Sequence, residues 1–437
     1  MIISLMVALD LAKVYMEVYG CSANVADAEV MLGLLKSRGY EIVKDPEKAD
    51  VNIVATCTVK TPTEHRMIHV ISSLSKLEKP LIVAGCMPLT SREAIERINP
   101  KASLLGARAI TRIVDAVETA LHGGKFVKLI EADSTPLCKP RVRLKQFIGI
   151  IPIAQGCLGK CSFCQVKIAR GILRSYPPDL IIEEVLRALE HGCKEIWLSS
   201  QDNGCYGIDI GLTLADLLEK ILKIEEDFKI RIGMMNPVHI QAFIDRILDL
   251  FSDHRIFKFA HIPVQSGSDK ILNDMRRGYT VADAEYVMRK FRSKYPELSL
   301  ITDIIVGYPT ESEEDFEDTL NFIKRVEPDH VNVSKFGARP KTEAYKLKPL
   351  PPMMIKKRVQ KLSELYFNIS YKRNLNWLNW VGEAIVEEQG LKPGSWIARN
   401  HAYKPIVVLH SENVLGEMLK IKIVKAYRNF LQGEILN

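Results

Sequence analysis

The sequence predicts an α/β protein in three parts. These are an amino-terminal domain built on a parallel sheet, a partial TIM-like barrel of six β/α units, and a small carboxyl-terminal antiparallel β-barrel. Three observations carry the prediction. Short β-rich apolar runs alternate with helical patterns between residues 14 and 86, which gives right-handed crossovers and parallel strands. The same alternation resumes at Ile148 and continues to Phe336. After Arg373 the chain turns to short apolar alternations separated by Gly, Pro and Asn, the pattern of a small barrel.

The bulk properties fit this plan. A length of 437 residues suits roughly two to four domains. Hydrophobic residues at 47% and charged residues at 26% lie near the globular average, which excludes disordered, collagen-like and disulfide-knot classes. No stretch reaches about 18 uninterrupted apolar residues, so no membrane-spanning helix is expected. The opening residues lack a basic region and a small-residue cleavage site, and Asp10 interrupts them, so a signal peptide is not expected and the chain reads as cytoplasmic.

The first domain, 13–132, is organised around three cysteines. Cys21 ends VYMEVYGC, Cys57 ends VNIVATC and Cys86 ends LIVAGC, each after an apolar run suited to a strand buried in a parallel sheet. Helical patterns over Ala26–Ser37 and Thr63–Leu77 separate the runs. All three cysteines therefore fall just past the carboxyl ends of strands, the edge where open α/β sheets bind ligands. One cysteine in such a place is ordinary packing; three in the same place read as a single three-thiolate site. Residues 133–146 form the expected linker, with two Pro and four basic residues between Asp133 and Lys145.

The second domain, 147–372, opens with the strand Ile148–Ala154 and then Cys157, Cys161 and Cys164 in a C-x3-C-x2-C run. Structural zinc takes four protein ligands. Three close thiolates with no nearby His and no fourth Cys suit a cubane iron–sulfur cluster with one open iron. Cys138, Cys193 and Cys205 share no such pattern and read as small hydrophobes. An odd total of nine cysteines argues against a disulfide framework. Five further strands are expected at 195–199, 229–233, 258–263, 298–307 and 330–336, with helices between them. Catalysis in such barrels belongs at the strands' carboxyl ends. There stand Ser199-Ser-Gln201-Asp202-Asn203-Gly204, His261-Ile-Pro-Val-Gln265-Ser266-Gly267 and Thr302-Asp303-Ile-Ile-Val-Gly307.

The third domain, 373–437, is expected to have about five strands. Trp377, Trp380 and Trp396 lie in it, and with Tyr403, Tyr427, Lys404 and Arg399 they suit either a base-stacking, phosphate-binding surface or the barrel's core. Just before it, Lys335–Arg373 holds eleven Lys or Arg against two Glu, an excess larger than the whole chain's net charge of +7. A solvated helix face over 354–373 and a polyanion contact both account for that.

Together these residues resemble the radical S-adenosylmethionine methylthiotransferases from about Tyr15 onward. YGCSANVADAE, ARGILRSYPP, SSQDNGCYG, HIPVQSGSDKILNDMRRGYT and TDIIVGYPTESEEDF carry the resemblance, and TCTVKTPTEHRMI is most like the archaeal and eukaryotic branch. The resemblance implies two 4Fe-4S clusters, one held by Cys21, Cys57 and Cys86 and one by Cys157, Cys161 and Cys164. It makes 147–372 a radical barrel and 373–437 a TRAM domain that binds RNA. It also implies S-adenosylmethionine as cofactor. Phe163 would pack near its adenine, and Gln201, Asp202, Gln265, Asp303 and Gly307 would contact it. The substrate implied is threonylcarbamoyladenosine next to the anticodon of tRNA, splayed from the anticodon loop and methylthiolated at C2. That C–H bond is one no general base deprotonates usefully, and no catalytic acid, base or nucleophile is singled out. An electron donor such as a ferredoxin or flavodoxin-like protein, and a sulfur source, are implied partners. Arg339-Pro-Lys341-Thr342 departs from the family, which has Gly in place of Lys341, and alters a turn without touching the cysteines. A carboxyl-terminal membrane anchor, carried by some eukaryotic relatives, is not expected. Isopentenyladenosine in tRNA, or a ribosomal protein, remains an alternative substrate of the same chemistry. A non-catalytic iron–sulfur RNA-binding or electron-transfer protein is the alternative from another class.

Overall fold

The computed structural model describes residues 12–59, 61–132 and 135–436. The apolar amino-terminal stretch and Asp133–Ser134 of the expected linker lie outside them. Two compact units emerge: Met1–Leu144 with Gln165–Gly171, and Lys145–Cys164 with Ile172–Asn437.

The first unit is a six-stranded, all-parallel sheet. Its strands are β1 (Lys13–Val18), β2 (Glu41–Val43), β3 (Val51–Thr56), β4 (Leu81–Gly85), β5 (Ser103–Arg108) and β6 (Val127–Ile130), in the order β2-β1-β3-β4-β5-β6. Every residue of β3 and β4 is buried, because helices cover both faces of a sheet closed by crossovers. Helix α1 (Ser22–Ser37) packs its Ala28, Met31 and Leu35 into the apolar layer on one side of the sheet. Helix α2 (Thr61–Ser75) brings Met67 and Ile71 into the layer on the other. The direction of strand addition reverses between β1 and β3, the switch point where open sheets of this order bind ligands. Cys21 and Cys57 follow those two strands. Residues 135–144 lie along α1: Val142 N–H donates to the Glu29 carbonyl at 3.0 Å, and the Arg143 guanidinium donates to the Glu29 carboxylate at 3.2 Å.

The second unit contains the six parallel strands expected: β7 (Ile148–Pro152), β8 (Glu195–Ser199), β9 (Lys229–Ile232), β10 (Phe259–His261), β11 (Ser299–Val306) and β12 (His330–Lys335). They form two three-stranded sheets, β9-β8-β7 and β10-β11-β12, connected through the Ile230–Ile256 bridge. Between β7 and β8 a one-turn helix, α3 (Val166–Arg170), is the element that belongs with the first unit. After β12 the long helix α4 (Pro352–Leu375) leads to a closed five-stranded barrel. Its strands are β13 (Val381–Gln389), β14 (Ser395–Asn400), β15 (Pro405–Leu409), β16 (Met418–Ala426) and β17 (Leu431–Ile435). The pairing is antiparallel except where β15 meets β17 in parallel and closes the ring.

The small barrel corrects the stacking-surface expectation. Trp377 and Trp396 are buried in its core. Tyr403 is buried edge-on between Phe257 and Phe259 of the larger barrel, at ring separations of 4.8 and 5.1 Å. Lys404 is buried on Asp329. Aromatic area placed on the inner face of a small barrel packs before it can stack on a base. Tyr427 stays half-buried, stacked on Phe430. The basic stretch is divided as well. Arg358, Lys361, Lys372 and Arg373 pair with acidic side chains, while Lys335, Lys346, Lys348, Lys356 and Lys357 point to solvent. Among the described residues no helix is long and apolar enough to cross a membrane.

Candidate functional site

In the first unit the strand-to-loop turns put three thiols in electrostatic reach of one another. Gly20 and Gly85 precede Cys21 and Cys86 with φ of +116° and +97°, a region that favours glycine. A Cβ on Gly20 would lie 2.6 Å from the Cys57 Cβ, so the close approach of the β1 and β3 turns depends on its absence. Cys21 stands at the N-cap of α1. Val59 N–H donates to Cys57 Sγ at 3.4 Å. Cys86 is buried, and burial, with the charges of Cys57 and Cys21 adding to it, pushes its thiol up to about 12. Cys57 is raised by burial and by Cys21.

Three such thiols resist ionising together unless positive charge reaches them, and a metal centre supplies it by deprotonating the thiols it ligates. One protein cation is already present. Arg170 of α3 is buried beside Asp27, 2.7 Å away, and its charge partly offsets the effect of burial on the Cys86 thiol. Among the described residues no three His, Cys, Asp or Glu side chains converge as they would around a single ion. A cubane differs in holding its three thiolates apart at separate corners, and the donor set, all cysteine and electrostatically coupled, is of the kind iron–sulfur clusters take.

In the second unit Cys157, Cys161 and Cys164 are half-buried in the loop after β7, entered through Gly156 at φ +81°. Gly159 N–H donates to Cys157 Sγ at 3.2 Å, and a Cβ on Gly159 would sit 3.3 and 3.6 Å from the sulfurs of Cys157 and Cys161. Arg277 donates to Cys161 Sγ at 3.1 Å and to the Pro263 carbonyl at 2.9 Å. Burial works against that guanidinium's charge, but Tyr279 and Cys161 hold it protonated. N–H donors on thiolate sulfurs are what the ligands of an iron–sulfur cluster carry.

The remaining expected residues stand at the carboxyl ends of the barrel strands, with varied surroundings. Gln201 accepts the Gly156 N–H at 2.6 Å and so steadies the entry to the cysteine loop. Asp202 is buried; its Oδ1 accepts from the N–H groups of Gly204 and Asn236 at 3.0 Å each. Its Oδ2 has no hydrogen-bond donor, only His239 Nε2 at 3.6 Å, and the Asn236 side-chain oxygen is likewise buried without one. Gln265, at φ +83°, bridges β10 to β11 through its backbone, donating to the Asp303 carbonyl and accepting from Ile305 N–H. The Asp303 carboxylate binds His261 Nε2 at 3.0 Å and the Asn332 amide at 2.7 Å. Gly307, at φ +83°, donates to Glu311 at 2.9 Å, and a Cβ there would strike Ile355 at 2.6 Å. Phe163 packs against the buried cluster of Ile271, Met275, Tyr308 and Ala344.

Four side chains near these sites have no periodicity to announce them. Arg170 and Arg277 lie in runs that the resemblance picks out, yet nothing local marks them as buried. Asn236 follows an apolar strand like many turn residues. Cys205, read as a small hydrophobe, is indeed buried, but it hydrogen-bonds Cys157 as well as the Asp202 carbonyl at 3.1 Å.

Comparison with known proteins follows the same three parts. Residues 13–106 match the Uncharacterized protein family UPF0004, 151–323 the Radical SAM superfamily, and 381–436 the TRAM domain. A protein of Pyrococcus horikoshii named probable threonylcarbamoyladenosine tRNA methylthiotransferase is 42% identical over 98% of this chain and 100% of its own. The Drosophila melanogaster threonylcarbamoyladenosine tRNA methylthiotransferase is 34% identical over 97% of this chain and 78% of its own. Among solved structures, the radical S-adenosylmethionine methyltransferase TsrM of Kitasatospora setae, with cobalamin and a 4Fe-4S cluster bound, superposes with a TM-score of 0.58. It covers 76% of this chain and 77% of that one at 12% identity, a likeness of fold alone.

Proposed function

We propose a reaction for this chain on one premise: it belongs to the threonylcarbamoyladenosine tRNA methylthiotransferase family. It is a radical S-adenosylmethionine enzyme that uses 4Fe-4S clusters and S-adenosylmethionine. It replaces the C2 hydrogen of N6-threonylcarbamoyladenosine, next to the anticodon of tRNA, with a methylthio group. The observation that carries this is full-length similarity to relatives of that one name from archaea and eukaryotes.

On this reading Cys157, Cys161 and Cys164 would hold the cluster, which with S-adenosylmethionine would supply radical chemistry able to take hydrogen from an unactivated C–H bond. The chain's own groups hold and orient. Arg277 and the Gly159 N–H steady two of the thiolates through hydrogen bonds to sulfur. Asp202 Oδ2 and the Asn236 oxygen, buried acceptors with no donor, are suited to an ammonium or a ribose hydroxyl of the cofactor, since leaving both unmatched costs about 1–3 kcal/mol each. Gln201 acts behind them by fixing the cysteine loop. Gln265, Asp303, Gly307 and Phe163 complete the cofactor wall in this proposal. Cys21, Cys57 and Cys86 hold the centre that carries the sulfur to be inserted. An external one-electron donor of the ferredoxin or flavodoxin-like class and a sulfur source belong to the same proposal, as does a cytoplasmic location.

The test separates the two trios. Cys157→Ala should abolish 5′-deoxyadenosine formation. Cys57→Ala should keep it while tRNA nucleosides, read by mass spectrometry, carry no methylthio group. Methylthio product from the Cys57 variant would remove the sulfur-carrying role of the first trio.

A further inference from the structure

The chain that forms the second trio runs directly into the wall of the first. Immediately after Cys164, Gln165–Gly171 folds with the first unit. There Gln165 accepts from the Thr58 hydroxyl, one residue past Cys57, and Ala169 packs with Cys86 and Ala107. Arg170 is buried at 4% exposure, so its charge is not solvated by water. Its guanidinium lies 2.7 Å from the Asp27 carboxylate and donates to the Asn24 side-chain oxygen at 2.6 Å. That same oxygen is 3.9 Å from Cys86 Sγ, and the guanidinium hydrogen-bonds the Cys86 thiol as well. Asn24 is fixed in this role, its amide donating to the carbonyls of Tyr19 at 3.0 Å and Thr56 at 2.8 Å.

Stability is a poor account of this arrangement. A buried ion pair is often no better for folding than packed apolar side chains of the same volume. What the arrangement does achieve is to keep one cation, in a region of low dielectric, against three sulfurs that become anionic when they bind metal. Reducing an iron–sulfur group adds one negative charge, and a fixed cation beside it favours the reduced form.

We propose that Arg170 is a positioning residue of the first trio: supplied by the helix that follows the second trio, its guanidinium anchors Cys86 and raises the reduction potential of the iron–sulfur group that Cys21, Cys57 and Cys86 bind. This rests on the reading that the first trio binds such a group, and the experiment keeps the two claims apart. The full-length chain with Cys157, Cys161 and Cys164 all changed to Ala is reconstituted anaerobically, assayed for iron and sulfide, and titrated electrochemically with EPR detection. In that background Arg170→Gln should lower the midpoint by at least a tenfold shift in the reduction equilibrium, about 59 mV for one electron. Arg170→Lys, which keeps the charge, should recover more than half of that shift. Asp27→Asn removes the counter-charge, leaves the cation, and should move the midpoint upward. An unchanged midpoint in Arg170→Gln with its iron retained overturns the proposal. Should Arg170→Gln lose its iron, Asp27→Asn decides: an upward shift supports the proposal, and an unchanged or lower midpoint overturns it. If the parent triple variant binds no iron at all, the reading beneath it has failed instead, and the proposal with it.

Discussion

Asp329 offers the sharpest structural test, because one carboxylate joins four elements of the second unit. Its Oδ2 accepts from Arg292 at 2.9 Å and from Leu300 N–H at 3.0 Å. Its Oδ1 accepts from Arg373 of α4 at 2.9 Å and from Lys404 of the small barrel at 2.7 Å. Asp329→Asn keeps the shape and removes the charge. The cost depends on how wet each cation is. Lys404 is 5% exposed and would be left with neutral acceptors alone, among them the Asn374 oxygen at 2.8 Å. Stranding a buried charge costs about 3–5 kcal/mol. The side chains of Arg292 and Arg373 are 20% and 17% exposed and can recruit water, so each adds about 0.5 kcal/mol. The expected loss is therefore about 4–6 kcal/mol. Urea unfolding followed by tryptophan fluorescence reads this directly, since all four tryptophans (197, 377, 380 and 396) lie in the second unit. Adding Lys404→Met should recover at least half the loss, because it removes the stranded charge. A loss under about 1 kcal/mol, or a double variant no more stable than the single, refutes the reasoning.

Two further outcomes are expected. Glu195, at the start of β8, is buried against Glu387 of the small barrel, and burial with the neighbouring carboxylate raises its pKa well above the usual carboxylate range despite Trp197 and Arg231. Arg399 pairs with Glu387 on the other side at 3.1 Å. A group whose folded value is raised contributes stability below its unfolded value, about 4.3, and that stability is lost as pH climbs through the folded value, at about 1.4 kcal/mol per pH unit. Glu195→Gln should flatten that alkaline slope; equal slopes in a pH series of urea titrations would exclude the assignment. Lys341 sits at φ +67°, a region that favours glycine. The left-handed conformation costs roughly 1–2 kcal/mol for an L-residue, and glycine's looser unfolded chain returns part of it, so Lys341→Gly should stabilise by about 0.5 kcal/mol while Lys341→Ala does not.

Most of the barrel was legible because each of its strands is an apolar run that stops at a polar, glycine-containing turn. The first sheet was half legible. Strands β1, β3 and β4 stand out before their cysteines, but β2 has three residues and β6 is an exposed-to-intermediate edge with no buried residue, so neither has a hydrophobic signal of its own. The helix between β8 and β9 is short, Leu214–Ile221, because the Thr213–Asp216 capping box begins it and Leu222 closes it. In the small barrel the strands were readable from alternation, yet alternation does not say which face is covered by a neighbouring domain. Tyr403 and Lys404 went inward because β10 and Asp329 cover that side.

The site divides along the same line. Cysteine spacing speaks directly, because a cluster ligand must be a thiolate and a three-ligand cluster must find three of them near one strand edge. Charges that tune those thiolates do not speak, since a buried arginine looks the same in a sequence as a solvated one. Arg170 and Arg277 illustrate the cost of that blindness. Each sits in a run of ordinary polarity, each is buried, and each hydrogen-bonds a cysteine of a different trio. Both arginines are buried, but their cysteine partners differ in depth: Cys86 is buried, whereas Cys161 is half-buried. A centre shielded from water responds more strongly to a neighbouring charge. On the proposed reading, loss of Arg170 should thus shift the potential of the centre at the first trio further than loss of Arg277 shifts that at the second.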